Sequence, residues 1–312
     1  MIEDLQQAID SLIQAAAPSS LKKASVALSL TYRHGQGSRS IFENEPARLA
    51  YLAARMPATF GAIRAVLGQL SISPATWLDL GAGPGTASWA AASLFPQSNA
   101  FTLIEKNSHA IAIGKKLAIG HRLLETATWI SASLPTELPA ADAAVLSYSL
   151  GEFERPSQLI DCWWKAAIPL LVIVEPGTPR GFSTIKKARD QIISLGGFLI
   201  APCPHALRCP LKEKDWCHFS VRIARNRLHR YLKAGALGHE DEKYSYLIAS
   251  KNDPKTQENQ AARILRQPQK NSGHVRLSLC TALGSSEEVT IGRSNQKFYR
   301  KARAASWGDV WE

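Results

Sequence analysis

The stretch WLDLGAGPGTASWAA, residues 77–91, reads as a strand that ends in a glycine-rich turn and continues into an alanine-rich helix. Gly81, Gly83 and Gly85 form a G-x-G-x-G pattern, in which the missing side chains let the backbone turn tightly and approach a ligand. The next apolar run, AFTLIE, ends at Glu105, twenty residues beyond Gly85, where a carboxylate can accept both ribose hydroxyls of a nucleotide. The stretch therefore predicts a nucleotide-binding strand–helix–strand unit.

Apolar runs continue after this unit at the spacing of an α/β protein. The predicted elements are strands at 126–134, 142–150 and 170–177 and helices at 111–119 and 156–168. Such alternation predicts a parallel α/β sheet. Two late segments, 243–251 and 274–282, look like two closing strands of the sheet, and we expect them to form a hairpin with one reversed strand.

The glycine loop discriminates between two cofactor classes. A dinucleotide dehydrogenase usually shows G-x-G-x-x-G, whereas LDLGAGPGTAS, residues 78–88, resembles the first motif of class I S-adenosylmethionine-dependent methyltransferases. The resemblance implies that the methionine part of the cofactor and its ribose contact Asp79, Gly81, Ala82, Gly83, Gly85 and Glu105. It also implies two residues beside the adenine, Ser131 and Ala132, and two facing the methyl group, Ser147 and Tyr148. For these last four, ordinary strand-end positions are the alternative.

Charge and hydropathy indicate the class of partner. Of the net charge of +11, nearly all lies in residues 151–312, which hold 26 Lys and Arg against 16 Asp and Glu. One-sided basicity favours RNA or DNA as a partner, with a basic solvated surface as the alternative. The longest apolar run, 166–174, is under half of the roughly 20 residues that span a bilayer. Because the first residues are acidic and lack signal-peptide character, we expect a cytoplasmic protein without a membrane partner, monomeric when free.

Three of the five cysteines fall within PCPHALRCPLKEKDWCHF, residues 202–219. Disulfides are rare in a reducing compartment, so this crowding indicates a metal site, catalysis or coincidence. A catalytic thiolate belongs near the ends of the central strands, whereas Cys203 lies one helix and one strand further along the chain. A metal site is therefore the favoured interpretation.

Four thiolates complete either a zinc site or an iron–sulfur cluster. The predicted ligands are Cys203, Cys209, Cys217 and Cys280. We prefer Cys280 to Cys162 as the fourth ligand, because Cys162 lies in an apolar helix where cysteine is most often a small buried hydrophobe. The wide, irregular spacing favours an iron–sulfur cluster, and zinc stays open, with His205 or His218 as a substitute ligand.

Basic residues follow the cysteine-rich stretch and recur near the C-terminus. The predicted RNA-binding residues are Arg222, Arg225, Arg227, Arg230 and Lys233, with a second group at Lys297, Arg300, Lys301 and Arg303. Positions 222, 225, 226, 229 and 233 lie on one helix face by the three-to-four residue rule, and the run has no balancing acids, although a solvated charged face is the alternative. Aromatic residues within the second group are suited to stacking on unpaired bases, or belong to the core.

Several separated stretches resemble one family. YLAARMPATFGAI (51–63), LDLGAGPGTASWAA (78–91), SYSLGEF (147–153), VEPGTPRGF (174–182) and the cysteine-rich stretch are similar to the methyltransferase-like proteins of the small ribosomal subunit, known from mitochondria and also found in bacteria. The resemblance implies a four-iron, four-sulfur ([4Fe-4S]) cluster on Cys203, Cys209, Cys217 and Cys280. It also implies action on the small ribosomal subunit and its 16S-type rRNA, in rRNA methylation, subunit assembly or translation.

Two functions of different class remain at this stage. One is an S-adenosylmethionine (SAM)-dependent rRNA methyltransferase, and the other is a non-catalytic iron–sulfur assembly factor that docks on rRNA. No N-P-P-Y motif follows the fourth predicted strand, where SYSL stands instead. The expected fold is a class I SAM-dependent methyltransferase (Rossmann-like) α/β sheet. Its predicted parts are a helical N-terminal segment (1–70), a SAM-binding core (71–200), a cluster-bearing basic insertion (201–242), and closing strands with a basic C-terminal extension (243–312).

Overall fold

A computed structural model describes residues 2–33, 41–133, 137–253 and 261–312. The helices of these residues are α1 (Ile2–Ile13), α2 (Pro18–Arg33), α3 (Glu45–Ala54), α4 (Met56–Leu67), α5 (Thr86–Leu94), α6 (Ser108–Leu117), α7 (Pro156–Lys165), α8 (Pro179–Ser194), α9 (Arg227–Lys233) and α10 (Gln296–Ala304). The strands are β1 (Thr76–Leu80), β2 (Ala100–Glu105), β3 (Thr128–Ser131), β4 (Ala143–Ser147), β5 (Leu170–Pro176), β6 (Phe198–Ala201), β7 (Phe219–Ala224), β8 (His239–Ser250), β9 (Ala262–Ile264), β10 (Gln269–Lys270), β11 (His274–Cys280), β12 (Ser286–Gly292) and β13 (Val310–Trp311). None of the helices within these ranges is long and apolar enough to span a membrane.

The chain divides into two compact units. The first comprises residues 1–154, 166–168 and 221–242, and the second comprises 155–165, 169–220 and 243–312. This partition does not test the predicted four-segment division, which stays a prediction. Strands β7 and β8 run through both units.

The first unit contains four parallel strands in the order β3-β2-β1-β4. The register pairs Leu80 of β1 with Ile104 of β2, and Glu105 of β2 with Ser131 of β3. The carboxyl ends of these strands therefore lie along one edge, which is where ligands bind in open α/β sheets. Helix α5 packs against α4, β1 and β4, and its small residues from Thr86 to Ser93 are all buried.

The second unit contains the three strands β5, β8 and β6, with β8 antiparallel to both neighbours. Strand β5, LLVIVEP, is buried along nearly its whole length, as a continuous apolar run predicts for a strand covered on both faces. A separate sheet follows, in which β11 pairs with β10, β9 and β12, and β13 pairs with β9. Helix α10 packs on β11 and β12, over a core that includes Ile264, Leu277 and Ala302.

The structure confirms the predicted α/β alternation and corrects two local expectations. The segments 243–251 and 274–282 do not form a hairpin, because the partners of β8 in the second unit are β5 and β6, while β11 belongs to the separate sheet. Residues 222–226 are not helical either. Arg222 lies in strand β7, and the helix begins only at Arg227, after Asn226 caps it by accepting a hydrogen bond from the His229 N–H at 2.7 Å.

Candidate functional site

The glycine loop between β1 and α5 has the backbone conformation that its sequence predicts. Gly81, Gly83 and Gly85 have φ angles of +67°, +54° and +86°, values that residues with a side chain rarely adopt. A Cβ atom on Gly83 would meet no heavy atom within 4 Å, so the loop borders open space at this residue. Ala82 is buried beside it, and its N–H donates to the Ile104 carbonyl. This backbone can approach a ligand closely.

Asp79 lies under the glycine loop and is only 1% exposed. Its Oδ2 atom accepts hydrogen bonds from the backbone N–H and the hydroxyl of Ser88, at 3.1 and 2.8 Å. Burial raises the pKa of Asp79 to about 7, although the bonds from Ser88 oppose the rise. Its buried Oδ1 atom has no hydrogen-bond partner among the described residues. The carboxyl group thus has one oxygen available to the amino group of a ligand.

Glu105, the acid predicted to bind the ribose, holds the glycine loop through hydrogen bonds. Its Oε2 atom accepts from the Gly83 N–H at 2.9 Å, and its Oε1 atom accepts from the Asn107 N–H at 2.8 Å. A carboxylate offers about four acceptor positions, so these two bonds leave capacity for ribose hydroxyls. The ribose role itself stays a prediction.

The other predicted cofactor residues stand at the same strand edge. Ser131 pairs with Glu105 in the register, and the Ala132 N–H donates to the Glu105 carbonyl at 3.2 Å. Ser147 ends β4, and Tyr148 follows with a φ of +56°, which is unusual for a residue with a side chain. Strained backbone of this kind concentrates at functional sites.

The residues that hold Tyr148 were not predicted. The Tyr148 hydroxyl donates to Glu242 at 3.3 Å, and the Arg55 guanidinium lies 5.3 Å from the centre of the Tyr148 ring. Arg55 and Glu242 form a two-point ion pair with both N–O distances at 2.9 Å. Arg55 is part of a stretch that the family resemblance already covered, but its partner is 187 residues away, so nothing in the local pattern indicates the contact.

The four predicted cysteine ligands line one pocket of the second unit. Cys203 and Cys209 lie in the loop after β6, Cys217 lies shortly before β7, and Cys280 is the last residue of β11. With its open mouth included, the pocket encloses about 540 Å³ of empty space. Within the described residues, no three His, Cys, Asp or Glu side chains are close enough to hold a single metal ion. The four cysteines thus share the lining of one pocket without forming a site for a single ion.

Burial and mutual proximity disfavour free thiolates in this pocket. Burial raises the pKa of Cys203, raises that of Cys217 well above its ordinary value, and raises that of Cys280 to about 12. The neighbouring cysteines add to the rise for all three. A bound metal would take the place of the thiol protons. Of the two candidate histidines, His205 lies near a sulfur, with its Nε2 atom 3.5 Å from Cys280 Sγ, while His218 stacks on Trp216.

Two arginines of the pocket were not predicted. Arg189 of α8 is 3% exposed, and its Nε atom donates to Cys203 Sγ at 3.4 Å. Arg263 of β9 donates to the carbonyls of Pro202 and Gly308, at 2.9 and 2.8 Å. Arg189 occurs in the stretch KKARD, where the sequence gives no sign that it differs from the adjacent surface cations.

The first basic group is partly neutralised by two acids of strand β8, which lie outside the basic stretch of sequence. Glu240 of β8 accepts from Arg225 at 2.6 Å and lies 3.2 Å from His229 and 3.8 Å from Lys233, and Arg222 pairs with Asp241. Burial opposes ionisation of Glu240, but the contact with His229, the hydrogen bond from Arg225 and the charge of Lys233 outweigh it and lower the pKa to about 2.

Arg227 and Arg230 remain the exposed cations of α9. No ion pair is recorded for either of them in the part of the chain that the structure describes. Beside them Tyr231 is 44% exposed, and the Lys22 ammonium lies 4.7 Å from the centre of its ring. These last two residues were also missed, because Lys22 comes from the distant helix α2.

The second basic group lies on α10, and all four of its cations are exposed. Lys301 packs over the Trp311 ring at 5.3 Å, and Arg303 donates to the Asn271 carbonyl at 3.5 Å. Of the nearby aromatic residues, Phe298 is 40% exposed, whereas Tyr299 packs against the core of the separate sheet. Phe298 is therefore the α10 aromatic that a partner can reach.

The strand order, the glycine loop and the acid at the end of β2 define an α/β protein of the class I methyltransferase type. Among known proteins, a family model described as mitochondrial small ribosomal subunit Rsm22 matches residues 45–312. The chain belongs to this family.

Individual relatives are distant and longer than this chain. The human ribosome assembly protein METTL17, mitochondrial, is 27% identical over 287 residues, which cover 84% of this chain and 62% of the human protein. The ribosome assembly protein RSM22, mitochondrial, of Saccharomyces cerevisiae is 26% identical over 240 residues. The match covers 45% of this chain and 38% of the yeast protein. This chain thus spans about three fifths or less of these relatives. The expectation of a cytoplasmic protein is wrong, because the family and these relatives are described as mitochondrial.

Solved structures with a similar fold include a SAM dependent methyltransferase from Aquifex aeolicus. It has a TM-score of 0.43 and 12% identity, and the match covers 66% of this chain and 98% of that one. Magnesium protoporphyrin IX methyltransferase from Synechocystis, with bound SAH, has a TM-score of 0.42 and 11% identity, and the match covers 67% of this chain and 88% of that one.

Proposed function

We propose that this chain is a SAM-binding, methyltransferase-like protein that acts in assembly of the small ribosomal subunit through contact with its rRNA. The observation that carries the proposal is the match of residues 45–312 to a small-ribosomal-subunit family. Two of its relatives are named ribosome assembly proteins. The net charge of +11 and the exposed cations of α9 and α10 support an RNA partner.

Cofactor binding is supported by the geometry of the loop. The backbone at Gly83 borders open space, Asp79 has an unpartnered buried oxygen, and Glu105 stands beside both. In the proposed complex, Asp79 holds the amino group of the methionine part, and Glu105 accepts from the ribose hydroxyls. Ser131 and Ala132 border the adenine. When bound, the cofactor supplies an electrophilic methyl group.

The cysteine pocket fits a [4Fe-4S] cluster held by Cys203, Cys209, Cys217 and Cys280. The donor set is suitable, because thiolates are the ligands that iron–sulfur clusters take. All four cysteines line the same pocket, whose empty space of about 540 Å³ includes its open mouth. We propose a structural role for the cluster, which would connect the loop after β6 to the end of β11. Zinc is the alternative that metal analysis must distinguish.

Catalysis is the second candidate function and has separate support. Ser147 ends β4 and Tyr148 follows it, at the edge where a methyl acceptor would approach. However, the Tyr148 hydroxyl and ring are held by Glu242 and Arg55, and the sequence there is SYSL. These contacts favour a cofactor-binding assembly factor over an enzyme that modifies exocyclic amino groups.

Methylation mapping of small-subunit rRNA in a strain that lacks the gene tests both functions. We expect immature small subunits with unchanged methyl marks, and rescue by the wild-type gene. Loss of one specific mark, restored by wild type and not by Glu105→Ala, would establish the enzyme instead. Normal subunit maturation without the gene would refute the proposal altogether.

Anaerobic purification followed by iron, sulfide and zinc analysis tests the cluster. We expect iron and acid-labile sulfide in equal amounts, with brown colour. Zinc without sulfide would refute the cluster and show that the cysteines bind zinc.

A further inference from the structure

Arg189 is an almost completely buried cation that the proposed function does not use. It comes from α8, its side chain is 4% exposed, and its only recorded acidic partner among the described residues is the half-exposed Asp190 at 2.9 Å. A buried guanidinium is costly unless each part of it is paired. The contacts that it makes therefore indicate what the position requires.

Those contacts converge on the loop that carries the first two cysteines. The Nε atom donates to Cys203 Sγ at 3.4 Å, while Nη2 donates to the carbonyls of His205 and Leu207, at 3.0 and 2.6 Å. One planar group thus fastens the sulfur and two carbonyls of the segment that leads to Cys209. A guanidinium presents several donors in a fixed fork, whereas a lysine ammonium is a point charge and cannot reach all three acceptors in this geometry.

Arg263 makes a different kind of contact. It lines the same pocket, but its hydrogen bonds go to the backbone carbonyls of Pro202 and Gly308. Both arginines bring positive charge to the pocket that the cysteines line. Of these two, Arg189 alone is recorded as a donor to a sulfur atom.

We infer that Arg189 is a positioning residue of the cysteine pocket, which fixes the Cys203–Leu207 loop and donates a charged hydrogen bond to the Cys203 sulfur, so that the pocket holds a metal centre with net negative charge. This inference rests on the proposed metal site. A thiolate-bound cluster gains electron density on reduction, so a hydrogen bond and a positive charge at one sulfur favour the reduced form.

The test compares Arg189→Gln and Arg189→Lys with Lys186→Gln in anaerobically purified full-length protein. Lys186 lies one turn earlier on α8 and lines the same pocket, so its variant removes a nearby charge without touching a recorded bond to sulfur. Three quantities are measured: iron and sulfide content, the rate of iron release to a chelator, and the midpoint potential of the cluster. Far-UV circular dichroism checks the fold of each variant.

We expect Arg189→Gln to release iron about tenfold faster than wild type. Its ratio of reduced to oxidised cluster at a fixed potential should fall about tenfold, which is about 59 mV for a one-electron couple. Arg189→Lys should have a midpoint potential between those of wild type and Arg189→Gln, because lysine keeps the positive charge. Its iron release should stay fast, because lysine lacks the several donors of the guanidinium group. Lys186→Gln should follow wild type in its release rate.

The outcomes separate this inference from the proposed function. A wild type that contains the cluster, together with Arg189 variants of unchanged release rate and potential, would overturn the inference alone. A wild type without any metal would overturn the cluster and the inference with it. If Arg189→Gln does not fold, Arg189→Lys decides, and release at the wild-type rate would refute the positioning role.

Discussion

The Glu105 carboxylate accepts a hydrogen bond from the backbone N–H of Gly83, with 2.9 Å between the two atoms. The acid at the end of β2 and the central glycine of the loop after β1 are thus directly connected. Glu105 supports the loop conformation as well as offering acceptors to a ribose. Loss of the Glu105 carboxylate should therefore weaken both the loop conformation and ribose binding.

Glu105→Ala should weaken SAM binding about tenfold or more, because a hydrogen bond to a charged group contributes roughly 1.5–3 kcal/mol. Isothermal titration calorimetry with SAM measures the effect. Glu125→Ala, at an exposed acid of the same unit, is the control and should bind like wild type. Equal affinity of the Glu105 variant and wild type would exclude Glu105 from the cofactor site.

Asp79 should make the stability of the cofactor-free protein depend on pH. Its pKa is raised from 3.8 to about 7, so the folded state keeps a proton that the unfolded state releases. The stability linked to this proton is present below about pH 4 and is lost as the pH rises to about 7, by about 4 kcal/mol at most. Urea unfolding of wild type and Asp79→Asn at several pH values should show the variant gaining on wild type across this window. A constant difference between the two proteins would contradict the raised pKa.

The candidate site illustrates what sequence patterns can and cannot predict. The glycine loop and Glu105 were predictable because strand, turn and helix signals are local and the turn imposes its own residue types. The four cysteines line one pocket, and their role as ligands stays a prediction. Arg189 could not be predicted, since burial of one cation among surface cations is decided by packing with residues far along the chain.

The errors in the fold prediction have the same origin. HVRLSLC and KYSYLIAS both have strand character, and neighbouring strands, not the sequence pattern, decide which sheet each joins. The arginine run after Cys217 fits a helical period, yet Phe219–Ala224 is a strand. Its Arg222 pairs with Asp241 of β8, and Arg225, which follows the strand, pairs with Glu240 of β8. Tertiary pairing overrides local periodicity at such positions.

Glu240→Gln should destabilise the first unit by roughly 2 kcal/mol at neutral pH, because Arg225 loses a charged acceptor and the negative charge beside His229 and Lys233 is removed. The pKa of Glu240 is lowered from 4.5 to about 2, so its contribution is present above pH 4.5 and is lost as the pH falls to about 2. Chemical unfolding should therefore show that the difference in unfolding free energy between wild type and Glu240→Gln shrinks as the pH falls over that range. Asp241→Asn, which removes the partner of exposed Arg222, should change stability by no more than about 1 kcal/mol. A gap that does not depend on pH would contradict the assignment.

Arg227→Ala and Arg230→Ala should each weaken binding to small-subunit rRNA fragments and lower the slope of log affinity against log salt by about 0.7–0.9. Both side chains are exposed, and α9 presents them beside Tyr231. Arg222→Ala is the matched control, because Arg222 is already paired with Asp241 and should change the slope less. Fluorescence anisotropy at several salt concentrations measures these values. An Arg222 effect equal to that of Arg230 would remove α9 as the preferred RNA surface.

Cys280→Ser and Cys162→Ser distinguish the fourth ligand of the proposed cluster. Cys280 ends β11 and lines the pocket with Cys203, Cys209 and Cys217, whereas Cys162 lies on α7 and does not line it. Serine supplies a hard oxygen where soft iron–sulfur chemistry requires a thiolate, so Cys280→Ser should lose the brown colour and most of the iron and sulfide. Cys162→Ser should keep both. Visible absorption with iron and sulfide analysis of the two variants, purified anaerobically in parallel, gives the answer, and colour retained without Cys280 but lost without Cys162 would show that the ligand set is wrong.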